Sequence, residues 1–142
     1  MKPMAGYSGT PLFKKLGIKE GFKIYIKNRP EDYLELIAPL PADVKIVSRL
    51  TKELDMIHLF TKSRKELNGL IDEYADRIKP NGMIWISWPK KASKVPTDVT
   101  EDVLRADILP SGYLVDVKVC AVDATWSALK FVIRKEKRAQ KD

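Results

Sequence analysis

Lys79-Pro80-Asn81-Gly82-Met83-Ile84-Trp85-Ile86-Ser87-Trp88-Pro89-Lys90-Lys91 is the stretch whose reading decides the fold. Just upstream, Ser63-Arg64-Lys65-Glu66 has the Ser-x-x-Glu spacing of a capping box. Leu67, Leu70, Ile71, Tyr74, Ala75 and Ile78 then recur along one helix face. Gly82 is expected to supply the left-handed residue that stops this helix. Met83 to Trp88 is apolar or aromatic on both faces, which predicts a strand buried between two helix layers. The lysines after Pro89 predict a cationic loop at its carboxyl end.

Towards the N-terminus, Thr10 reads as the N-cap of a short helix with Pro11 at its first position and Gly17 at its end. Phe22 to Lys27 alternates apolar and polar residues as a strand does. Glu31 to Ala38 has helical spacing with acids in the first turn, closed by Pro39 and Pro41. Val44 to Val47 and Met56 to Phe60 read as strands. The link between them is too short for a helical crossover, so the Val44 strand is either an edge strand on an extended return or antiparallel to the next. Beyond the lysine loop, Thr97 is expected to cap a helix carrying Val99, Val103, Leu104 and Ile108. Tyr113 to Val122 and Trp126 to Arg134, only three residues apart, predict an antiparallel hairpin.

Strands alternating with helices and closed by a hairpin predict an α/β, three-layer fold: a mostly parallel Rossmann-like sheet of about six strands. The 142 residues suit one domain, which at this size buries roughly 68% of its unfolded surface. The expected organisation is one domain over 1–135, with 1–21 as an N-terminal arm and short helix, and a charged, disordered tail over 136–142. The net charge is +7, of which the segment from Arg134 to Asp142 contributes +3. A solvated charged end therefore accounts for much of the basic character, and nucleic acid is a weak candidate partner. One cysteine excludes a disulfide framework or a cysteine-based metal site, and favours a reducing cytoplasm. No apolar run reaches the ~20 residues of a membrane span.

Two resemblances arise from these residues. Strand, capped helix, Lys79-Pro80-Asn81-Gly82, strand, helix and hairpin, roughly residues 55 to 135, resemble the C-terminal half of class I S-adenosylmethionine-dependent methyltransferases, whose equivalent turn commonly reads Lys-Pro-Gly-Gly. After the first strand, where that family places a Gly-rich turn, this chain has Lys27-Asn28-Arg29-Pro30-Glu31-Asp32; no cofactor is expected on that basis. Over nearly the whole chain, Ala5-Gly6-Tyr7-Ser8-Gly9-Thr10-Pro11-Leu12 and Ser87-Trp88-Pro89-Lys90-Lys91-Ala92-Ser93 resemble a bacterial family of short proteins classed only as a domain of unknown function. That resemblance implies kinship and assigns no catalytic residue.

The main candidate site is the loop after the Met83 strand, where Lys90, Lys91, Ser93, Lys94 and Thr97 are expected to face an anion at a helix N-terminus, with Trp88 as a wall. The plain alternative is a solvated lysine loop with Thr97 as an ordinary cap. Ser8, Gly9 and Thr10 form a second candidate, a backbone nest for an anion, against a capped arm that merely packs. His58, the only histidine, lacks a nucleophile and acid spaced for a triad, so it reads as a hydrogen-bonded core residue; Cys120 reads as a small buried apolar one. No metal ligand set is visible. The function expected is binding of an anionic small molecule or a protein partner. The alternatives are a degenerate or shortened S-adenosylmethionine-dependent methyltransferase and a basic nucleic-acid accessory protein.

Overall fold

The structure, a computed structural model, describes residues 9–140. Its elements are α1 (Leu12–Leu16), β1 (Lys23–Lys27), α2 (Tyr33–Leu36), β2 (Lys45–Val47), β3 (Leu54–Phe60), α3 (Arg64–Arg77), β4 (Ile78–Pro89), α4 (Glu101–Ile108), β5 (Leu114–Ala121) and β6 (Trp126–Ile133). They build a six-stranded sheet in the order β2-β1-β3-β4-β6-β5. The first four are mutually parallel, β6 runs antiparallel to β4, and β5 antiparallel to β6. The expected α/β sheet with its closing hairpin is what forms. The ambiguous Val44 strand is a parallel edge strand that pairs with β1 and never touches β3.

Side chains alternate across each strand, so a central strand covered on both faces must be apolar at nearly every position. In β3 and β4 this divides the core in two. On one face Ile57, Leu59, Ile84, Ile86 and Trp88 pack under Leu67, Ile71 and Tyr74 of α3 and Leu104 and Ile108 of α4. On the other, Met56, Phe60, Met83 and Trp85 pack under Leu16, Ile18, Tyr33 and Ile37. The short α1 is held to this second face because the buried Trp85 indole donates from Nε1 to the Leu16 carbonyl at 2.9 Å. Without that bond a buried N–H would lack an acceptor, a cost of roughly 1–3 kcal/mol. Among the described residues no helix is long and apolar enough to cross a membrane.

Several local expectations are corrected. Pro11 occupies the cap of α1 with extended backbone, so Thr10 stands before the helix and Pro11 is not its first turn. Only half of the capping box forms at α3. Ser63 Oγ accepts from the Glu66 N–H at 3.0 Å, while the Glu66 carboxylate turns away to accept from Thr61 Oγ1 and Asn28 Nδ2. Thr100, not Thr97, caps α4, its Oγ1 accepting from the Val103 N–H at 3.1 Å. Through Gln140 the chain forms a 3-10 helix (Lys135–Gln140), with Arg138 Nε donating to the Ile133 carbonyl. The charged tail expected from 136 thus falls partly on this helix, and 141–142 lie outside the described residues.

Gly82 is the most instructive correction. The helix ends at Arg77, and Ile78 already has extended backbone. Gly82 lies inside β4, where Leu54 pairs with Ile78 but Met56 pairs with Met83, so Lys79 to Gly82 bulge out of register. Its need for glycine is one of space: a Cβ there would sit 2.9 Å from Ile78 Cβ and 3.0 Å from the Leu54 carbonyl oxygen. Replacing Gly82 by Ala forces backbone to move, and a loss of about 1–3 kcal/mol is expected in urea unfolding. An unchanged midpoint would show that the bulge has room to spare.

Candidate functional site

At the carboxyl end of β4 the chain opens a cleft of about 690 Å³ between the 90–97 loop and the start of α4. Its position follows from the strand register. Trp88 pairs with Ser127 and Pro89 with Trp126, and the Lys90 N–H donates to the Thr125 carbonyl at 2.7 Å. The loop is therefore pinned to the hairpin just as it leaves the sheet. A 3-10 turn (Lys91–Ser93) follows, and Lys94 takes a left-handed conformation, φ 62°, which turns the chain back towards α4.

Of the six residues expected here, Trp88, Lys90, Lys91, Lys94 and Thr97 line the cleft and Ser93 does not. Ser93 instead shapes the turn, its Oγ donating to the Lys90 carbonyl at 2.7 Å and accepting from the Val95 N–H. Thr97 is likewise occupied, since Oγ1 donates to the Lys62 carbonyl and accepts from the Val99 N–H. Trp88 lines the cleft but is almost wholly buried. Glu101 and Asp102 line the cleft as well, so three ammonium groups meet two carboxylates. Arg105 already binds the Glu101 carboxylate. Of the second candidate, Gly9 has a left-handed φ of 80° and Ser8 lies outside the described residues.

Two arrangements were not visible in the sequence. In the first, His58 is wholly buried between Tyr33 Oη, 2.7 Å from Nδ1, and Ser87 Oγ, 2.7 Å from Nε2. Phe60 stacks on the imidazole with ring centroids 4.2 Å apart. The histidine is the hydrogen-bonded core residue expected, but its partners lie 25 and 29 positions away and meet it only across the sheet and its helical cover. A serine on a histidine has the look of a nucleophile and base. Here all three side chains are sealed from solvent, so no substrate carbon reaches Ser87 and the chain serves to satisfy core polar groups. Burial pushes the His58 pKa down to about 3 and raises that of Tyr33, which Cys120 raises further.

The second arrangement lies where strand order reverses, between β1 and β3. In open α/β sheets that reversal is where a ligand crevice opens, outside the carboxyl ends of the strands. Asn28, at left-handed φ 60°, projects across it, and its Nδ2 donates to the Phe60 carbonyl at 3.0 Å and to Glu66 Oε2 at 3.1 Å. Thr61 Oγ1 donates to the other oxygen of Glu66 at 2.6 Å. One amide, one carboxylate and one hydroxyl are thus bonded across the mouth of the crevice. Among the described residues no group of three or more His, Cys, Asp or Glu is placed to hold a metal ion.

No protein-family model and no curated protein matches the sequence. The fold is that of S-adenosylmethionine-dependent methyltransferases. A SAM-dependent methyltransferase from Aquifex aeolicus superposes with a TM-score of 0.57 at 15% identity, over 86% of this chain and 87% of that one. The N-methyltransferase NodS from Bradyrhizobium japonicum gives 0.56 at 11% identity, over 86% and 92%. The Methanococcus jannaschii fibrillarin pre-rRNA processing protein gives 0.53 at 13% identity, over 82% and 68%. Such identities carry the fold and leave the chemistry to the residues present.

The His58 arrangement makes stability depend on pH in a stated direction. Its folded pKa lies below the ordinary value of about 6.5, so below that pH the unfolded chain binds a proton the folded one refuses. Stability is full above about pH 6.5 and falls by up to about 1.4 kcal/mol per pH unit on the way down towards 3. Urea midpoints at pH 7.5, 6 and 5 are expected to decline, before the carboxylates titrate. His58→Gln, which keeps a donor and an acceptor, should flatten that decline.

Proposed function

We propose that this chain is a degenerate, shortened methyltransferase: it keeps the methyltransferase sheet, closes the cofactor crevice with its own side chains, and binds an anionic small molecule in the cleft between Trp88 and Thr97. The observation that carries the first half is the Asn28 tie to Phe60 and Glu66. S-adenosylmethionine, named for some of the proteins that share the fold, carries a positive sulfonium, the ammonium and carboxylate of its methionine, and a ribose diol that donates well to a carboxylate. β1 ends at Lys27 and is followed by Asn28, Arg29, Pro30, Glu31 and Asp32, with Ser48 and Arg49 after β2, so the rim holds three cations and two acids and has no glycine to let the backbone approach a ligand closely. The carboxylate at hand, Glu66, is engaged by Thr61 and Asn28. The residues present do not fit that cofactor, and no methyl-transfer step is derived for them.

The second half of the reading rests on the cleft. It lies at a strand's carboxyl end, as ligand sites in such sheets do, and three lysines on one short turn give an anion mobile donors at low cost in backbone order. Trp88 and the buried Val99 supply an apolar floor for whatever carries the charge.

A thermal-shift comparison tests both halves with phosphate, citrate, AMP, S-adenosylmethionine and S-adenosylhomocysteine as probes. An anion at ~100 times its dissociation constant should stabilise the protein by about 2.7 kcal/mol, a shift of several degrees. The Lys90→Ala, Lys91→Ala, Lys94→Ala triple variant should lose the shift, while its own melting point stays close because Lys91 and Lys94 are exposed and Lys90 half-buried, positions worth about 0.5 kcal/mol each. A shift with either methionine-derived compound would overturn the closed crevice. Retention of anion binding in the triple variant, or its absence in the parent, would overturn the cleft.

A further inference from the structure

We propose that the outer edge of β5 is a docking site for an extended acidic polypeptide segment, which adds to the sheet as a further strand. β5 ends the sheet: one edge is bonded to β6, and the other has no strand beside it among the described residues. Two of the three large apolar side chains that stand exposed belong to it, Val117 at 50% and Val119 at 46%.

The register explains why the charge beside this edge calls for an acidic partner. Asp116 pairs with Phe131 but Val119 pairs with Leu129, so a bulge sets Val117 and Lys118 together opposite Lys130. Like charges facing each other across a strand pair are destabilising unless something neutralises them. Lys19 adds to the positive field at Lys130, whose ammonium burial holds below the usual lysine range, and Lys15 and Lys118 both act on the thiol of Cys120. None of these four lysines is in an ion pair with a described residue. An open strand edge with two bared valines therefore runs beside lysines that no described carboxylate pairs.

The chemistry selects among occupants. A second copy would bring its own Lys118 against this one, in a chain of net charge +7. A nucleic-acid backbone would satisfy the lysines but leave the valines and the unpaired N–H and C=O groups of the edge unused. An extended acidic segment uses all three: main-chain bonds to the edge, apolar side chains on Val117 and Val119, and carboxylates on the lysines. Bulges and lysines at edges keep identical chains from pairing. The same lysine that repels a copy attracts an acidic strand.

Fluorescence anisotropy of a labelled, alternating Glu-Val peptide tests this, with three controls: a Lys-Val peptide, the Glu-Val peptide with proline at its centre, and a single-stranded oligodeoxynucleotide. The Glu-Val peptide is expected to bind with an affinity that falls as salt is added, and to slow amide exchange at the β5 edge. Both peptide controls should bind at least about tenfold more weakly, since one loses the charge match and the other the main-chain ladder. Lys118→Glu with Lys19→Glu should cost at least about tenfold, and the milder Lys118→Gln should weaken binding in the same direction. No binding of the Glu-Val peptide, equal binding of its proline-broken form, or tighter binding of the oligonucleotide would overturn the proposal. Self-association of the free protein through this edge, detected by sedimentation, would overturn it too.

Discussion

The parallel pairing of β3 between β1 and β4 is the constraint on which the rest depends. Met56 to Phe60 and Met83 to Trp88 are buried on both faces, and a sheet centre of that kind is unstable until helices cover both sides. α3 and α4 cover one face, and α1, α2 and the links around them cover the other. The Arg64 guanidinium, bonded through Nε and Nη2 to Asp107, joins the starts and ends of the first layer and holds the Asp107 carboxyl below the usual carboxylate range. In the second layer the anchor is the Trp85 indole on Leu16.

At the crevice between β1 and β3, the usual seat of a ligand in such sheets, Asn28 bonds Phe60 and Glu66, and Thr61 bonds the same carboxylate. This also explains why the capping box at α3 is only half made: Glu66 cannot reach back to Ser63 while it holds Asn28 and Thr61. A separate cleft lies at the end of β4, where the hairpin and the 90–97 loop diverge.

Much of this was legible in the residues. The strand and helix periods of 56–88, the Ser63 cap, the closing hairpin and the placement of a cationic loop after β4 all follow from local patterns, because each depends on neighbours within a few positions. Where local reading failed, a distant group decided. Gly82 has the look of a helix stop until Leu54 pairs beside it and the position is found inside a bulged strand. Thr97 has the look of a cap until its hydroxyl is taken by Lys62 and Val99, leaving the cap to Thr100. Ser93, expected to face a ligand, spends its hydroxyl on its own turn.

Sequence by itself determined the α/β class, the sheet's buried centre, the closing hairpin and the lysines of the loop. All of these are written in hydrophobic period, turn residues and charge, which act over one or two turns of chain. Tertiary structure alone decided that β2 is a parallel edge, that His58 lies between Tyr33 and Ser87, that Asn28 bonds Phe60 and Glu66 and that Lys118 lies opposite Lys130 across a bulge. Each of these is a contact between segments remote along the chain, fixed by strand order and register. A one-residue change of register would turn every side chain to the other face, so no local pattern contains them.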